Sequence, residues 1–292
     1  QHRMRKPRLY MLLVALLATL GSAYAQRAAI EDFRFGNYLL GKGLLRDAMT
    51  LTATLSDDYT PEALDSMRHL SGWIKYHNRL FAPAAERFSQ VGSTSPLYPK
   101  STFFGVVCDL EQGNIEGAKR RLDSFATTPA AAPYGELVAF ERGGIALLEG
   151  NREEYEACRA TFSYAHPILA TEQHNLDRVA TTPARDLSPW VAGVASAIVP
   201  GLGKIYAGDV GGGVASFMMV GAFAALTATS WAKAETPLNW RTLTYGTIGS
   251  LLYISNIFGS VASVKIYYQN FEEINRQAVM YSIHIPLRDI FE

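Results

Sequence analysis

A chain of 292 residues is long enough for about two domains. Hydrophobic residues make up 48% and charged residues only 18%, which excludes a disordered chain and suggests an ordinary globular part averaged with a very apolar one. Lys+Arg and Asp+Glu are equal at 27, and Arg3, Arg5, Lys6 and Arg8 crowd the N-terminus, so the remainder carries a net charge of −4 and is not a nucleic-acid binder.

Residues 1–25 read as an export signal. Arg5-Lys6-Pro7-Arg8 is a positive n-region, Met11 to Leu20 is a short apolar run, and Ser22-Ala23-Tyr24-Ala25 supplies small residues before Gln26. The apolar run is shorter than the roughly 20 residues of a membrane span. The competing reading is an uncleaved signal anchor.

Residues 26–167 read as paired amphipathic helices punctuated at intervals of roughly 35 residues, a helical-repeat pattern. Ala48, Ala84 and Ala118 recur on the second helix of successive pairs, with Tyr155 at the matching place in a fourth. Five residues earlier, Gly43, Gly113 and Gly150 mark the turn, where the second pair has Arg79. Gly36, Gly72 and Gly143 sit on the first helices, Val106 replacing glycine in the third, and Pro61, Pro96, Pro129 and Pro167 end the units. A small side chain lets two helices approach, glycine permits the turn and proline stops the helix.

These residues resemble the tetratricopeptide repeat. The resemblance implies an all-α, tetratricopeptide-like α-solenoid of about four helical hairpins, with Leu39, Leu45, Leu51, Phe88, Ile115 and Leu122 between helices. Such arrays present a concave face to a protein or peptide. Phe103, Phe104, Tyr134 and Phe140 either line that groove or belong to the core.

Residues 168–189 read as a polar linker punctuated by Pro183 and Pro189. Residues 190–267 read as a small helical transmembrane module. No charge occurs from Leu187 to Gly203, from Val210 to Ala232, or from Thr242 to Val264. The last two runs suffice to cross a bilayer, and the first is interrupted at Pro200-Gly201. Trp190, Tyr206, Trp231 and Trp240 sit at the edges as an interfacial belt would. Gly193/Ala197, Gly246/Ser250 and Gly259/Ser263 offer small-residue faces for helix packing or oligomerisation. Residues 268–292 read as an amphipathic tail lying on a surface as far as Pro286. Loop charges favour three crossings over two, with the tail then in the cytoplasm.

The string Ser196-Ala197-Ile198-Val199-Pro200-Gly201-Leu202-Gly203-Lys204-Ile205-Tyr206-Ala207-Gly208-Asp209 resembles the "S-A-x-x-P-G-x-G-x-x-Y-x-G" signature of small bacterial membrane modules. Leu252-Tyr253-Ile254-Ser255-Asn256-Ile257-Phe258-Gly259-Ser260 resembles their second segment. The resemblance marks Pro200, Gly201, Gly203, Tyr206, Gly208, Asn256 and Gly259 as the module's signature residues. As a whole the chain is similar to signal-peptide-bearing tetratricopeptide proteins with a C-terminal membrane module, some of them associated with YidD-type membrane-insertion factors. That likeness implies the bacterial inner membrane, with the repeats in the periplasm; no YidD domain is present.

Motifs for chemistry fail one by one, so no catalytic residue, cofactor or metal is assigned. Gly203-Lys204 is followed by Ile205 rather than Ser/Thr and is preceded by an apolar helix, which is no phosphate loop. Gly201-x-Gly203 lacks the third glycine of a dinucleotide turn. No two of His69, His77, His166, His174 and His284 lie three or four residues apart. Cys108 and Cys158 fall in different repeats and read as buried thiols in preference to a disulfide. Two function classes remain: a membrane-anchored scaffold with a protein or peptide partner, and a transport or lipid-handling module in which Pro200 to Gly213 and Asn256 line a polar path.

Overall fold

The computed structural model describes residues 30–53, 59–234, 236 and 239–291, so the signal-like segment and its expected cleavage point lie outside the described residues. Among the described residues the chain is helical, without a strand. Its contacts divide it into two units: the chain up to Ala180 together with Ala278–Glu292, and Thr181–Gln277.

The first unit begins with α1 (residues 30–41), α2 (Leu45–Leu51), α3 (Pro61–His77) and α4 (Phe81–Ser89). It continues with α5 (Tyr98–Glu111), α6 (Ile115–Ala126), α7 (Gly135–Glu149), α8 (Arg152–Arg159) and α9 (Ala170–Thr181). From α2 to α8 each helix packs on the next in the chain. The turns inside the pairs share one conformation: Gly43, Arg79, Gly113 and Gly150 have φ of 70°, 58°, 72° and 73°. Left-handed backbone closes a helix sharply, and glycine adopts it without a Cβ clash, whereas Arg79 carries that strain. Asn114 and Asn151 follow two of these turns and cap α6 and α8, accepting from the Gly117 and Glu154 amides.

Ala48, Ala84 and Ala118 are fully buried, and so is Tyr155. Tyr155 fits because Gly143 faces it from α7: a Cβ there would lie 3.5 Å from the ring. Gly72 is tighter, since its Cβ would come within 2.7 Å of the Phe88 ring. Leu39, Phe88 and Leu122 are buried as expected, while Leu45, Leu51 and Ile115 are half-buried. Phe103, Phe104 and Phe140 are completely enclosed.

Two parts of the sequence reading change. The stretch 168–189 is not wholly a linker, because α9 buries Leu176 and Gln173 against the first unit. Gln173 donates to Glu136 (2.8 Å), and Asp177 accepts from the Tyr155 phenol (2.7 Å). These polar anchors replace the apolar stripe that would have announced a helix. The tail, instead of lying on a membrane surface, completes the first unit. Val279, Ile283 and Leu287 on one face are buried in the same core as Phe103 and Phe104.

The second unit holds α10 (Pro189–Ile198), α11 (Leu202–Tyr206), α12 (Val210–Ala232) and the greater part of α13 (Trp240–Phe291). α12 and α13 are long and apolar enough to cross a membrane. On α12, Phe217, Met218 and Trp231 are exposed, as a lipid-facing helix requires. α10 has 10 residues and rises about 15 Å, half the roughly 30 Å of a hydrocarbon core. By itself it is too short for a straight crossing, whereas loop charge favoured a third span.

Candidate functional site

Four of the signature residues, Pro200, Gly201, Gly203 and Gly208, lie in the bends that join α10, α11 and α12. Pro200 forces extended backbone on Val199 (φ −129°, ψ 114°), which ends α10. Gly201 then takes φ 87° and opens α11. A Cβ on Gly201 would strike the carbonyl oxygen of Gly213 on α12, and one on Gly203 would strike that of Ala192 on α10. The two glycines therefore let three backbones touch, a geometric demand no other residue meets. Gly208 (φ 97°) makes the second bend, and Asp209 caps α12 by accepting from the Gly212 amide at 2.8 Å.

A polar chain ties this bend to α13. The Gly203 amide donates to Ser196 Oγ (2.9 Å), which shares a hydrogen bond with Ser260 Oγ (2.6 Å). Ser260 donates to the Asn256 carbonyl (2.8 Å), and Asn256 Nδ2 reaches the Ser196 carbonyl at 3.5 Å. Tyr253 donates to the Ala197 carbonyl from the same side of α13. In an apolar surrounding every such group needs a partner, yet Asn256 Oδ1 is enclosed with none.

Gly259 makes room for the Lys204 stem, its Cβ position lying 3.4 Å from Lys204 Cε. Lys204 Nζ donates to Ser216 Oγ at 2.9 Å. Lys204, Ser216, Ser255 and Asn256 together border a cleft of about 330 Å³. Tyr206 belongs to a different cluster. Its phenol accepts from the Ser188 amide (3.1 Å), while Tyr267 and Tyr268 accept from the Arg185 and Leu187 amides (both 2.9 Å). These tyrosines fasten the irregular segment of residues 185–188 to the start and end of the module.

The first unit holds groups the sequence reading passed over. Glu141 of α7 is fully buried with both carboxylate oxygens unpartnered, and burial raises its pKa well above the ordinary carboxyl value. His69 of α3 is buried beside Ser101 (2.8 Å), and burial and then the Lys100 charge lower its pKa to about 3. Cys108 and Cys158 are free and buried, and burial raises both thiols, Cys108 to about 12, which keeps them unreactive. Among the described residues no group of three His, Cys, Asp or Glu side chains could hold a metal ion. A run of apolar residues at helical spacing could not have disclosed Glu141, since its lack of partners is a tertiary fact.

Compared with protein families, with curated proteins and with solved structures, the chain matches none.

Proposed function

We propose that the protein is a membrane-anchored scaffold whose tetratricopeptide-like repeats present a binding surface to another protein or peptide. The observation that carries this reading is the shared left-handed turn of four successive helix pairs, joined in one chain to two apolar helices of spanning length. A regular stack of pairs offers a continuous surface larger than any one helix could. The apolar helices would hold that surface beside a bilayer.

The anchor has two crossings in this reading. Residues up to 180 and residues 278–291 share a core, which supports placing both on one side of the membrane and so favours two crossings over three. The export signal puts this side outside the cytoplasm, with Lys233 and Arg241 inside. The likeness of the Pro200–Asp209 string to small bacterial membrane modules suggests the inner membrane, and a part in envelope or membrane-protein biogenesis.

A second reading, lipid handling or transport by the module, draws on the unpartnered Asn256 Oδ1 and the cleft beside Lys204. Photo-crosslinking residues on the exposed face of the repeats, in intact membranes, separates the two. The scaffold reading expects one discrete protein adduct from Tyr38 or Phe35, both exposed on α1. Adducts to lipid alone, with solute flux through the purified chain, would replace it by the second reading.

A further inference from the structure

A lysine set among membrane helices needs an anion, a carbonyl or water to face. Lys204 forms no ion pair among the described residues, and the carboxylate nearest in sequence, Asp209, is engaged in capping α12. One of its three N–H groups goes to Ser216 Oγ at 2.9 Å, which leaves two of them and the Ser216 hydroxyl proton to donate. Ser255 brings another hydroxyl to the same cleft of about 330 Å³. Asn256, 4% exposed, forms part of the cleft wall and keeps Oδ1 without a donor. Val220 borders both this cleft and a second space of about 610 Å³, an apolar groove between α12 and α13. The groove exists because its walls are low: Ala224 and Ala228 line one side, Gly246 and Gly249 the other. It runs from Val220 to Trp231, about 17 Å along α12, close to half the roughly 30 Å of a hydrocarbon core.

A cationic, hydroxyl-lined cleft joined to an apolar groove has the chemistry of one kind of molecule, a lipid with an anionic head. We infer that the module binds a phospholipid of the phosphatidylglycerol type, its phosphate on Lys204, Ser216 and Ser255 and one acyl chain in the groove between α12 and α13. The binding rests on the membrane anchor of the scaffold reading and, unlike the lipid-handling reading of the same cleft, involves no transport. Charge selects the headgroup: a phosphate answers the unpaired ammonium, whereas a zwitterionic head brings its own cation to Lys204. Glycerol hydroxyls are also donors, which a quaternary choline lacks, at the cleft where Asn256 has an acceptor to spare. A helix from a second copy would fill the small-residue groove but would leave Lys204 without an anion.

The test titrates the full chain in detergent with phosphatidylglycerol or phosphatidylcholine and counts bound lipid by native mass spectrometry. One phosphatidylglycerol should be retained, at least about fivefold more tightly than phosphatidylcholine. Lys204→Gln should bring the two lipids level, and Lys204→Arg should keep the preference. Ala224→Phe, at an exposed position, fills the groove and should weaken phosphatidylglycerol binding with Lys204 intact. Soluble glycerol phosphate in large excess should not compete. Equal or no retention of the two lipids, a preference that survives Lys204→Gln, or Ala224→Phe without effect would overturn the inference. So would competition by glycerol phosphate, which assigns the cleft to a water-soluble ligand, or a lipid-free dimer, which assigns the groove to a second copy. Protein adducts at α1 and solute flux are separate measurements, so the scaffold and transport readings are untouched by any of these outcomes.

Discussion

Two buried ionisable groups set opposite pH limits on the first unit. His69 is held near pKa 3 in the fold against an ordinary 6.5, so the unfolded chain binds the extra proton and stability falls as pH drops below 6.5. Glu141 is raised well above 4.5, so the unfolded chain releases its proton first and stability falls as pH rises past 4.5. Between these values the two slopes oppose each other, His69 lowering stability toward acid and Glu141 lowering it toward alkali. Glu141→Gln should abolish the alkaline decline while keeping the acid one, measured as thermal midpoints from pH 4 to 8. Identical alkaline limbs for the two proteins would mean that Glu141 is ionised in the fold.

At the scale of helices, packing decides what a substitution costs. Ala84 is fully buried on α4, and Ala84→Leu would overpack its contact with α3, costing about 1–3 kcal/mol in denaturant unfolding. A neutral result would remove the close approach that the small residue provides. Much of this level was legible. Glycine at 43, 113 and 150 announced left-handed turns, and spacing alone put Arg79 at the same place despite its poor fit to that backbone. The glycines of the Pro200–Gly208 bend were legible as a motif, though not the reason that two of them leave no room for a Cβ. What stayed hidden depends on distance. Ser196 and Ser260 join across 64 residues, and no local pattern pairs them. The tail was legible as amphipathic as far as Pro286, but amphipathicity does not say whether lipid or protein will cover Val279 and Ile283, nor did it include Leu287. α9 was missed because Gln173 and Asp177 hold it by polar contacts that look like a linker in sequence.

Across the whole molecule, the pairing of α12 with the apolar part of α13 makes topology testable. Alkaline phosphatase fused after Ala180 should be active, and inserted between Lys233 and Arg241 it should be silent. Activity at both places would exclude the two-crossing arrangement. The docked end of α13 also imposes an order of events. Tyr76 and His284 meet across 208 residues, and both apolar helices are made between them. The ribosome therefore finishes the repeats long before the turns that seal their core, leaving Phe103, Phe104 and Gly144 incompletely covered for that interval. Closing so long a loop is slow from an open chain, and fixing α12 and α13 in a bilayer shortens the search. Completion of the repeat core thus comes last in synthesis, after both apolar helices have been made, so a chain cut short before residue 278 should keep an unfinished, protease-sensitive surface.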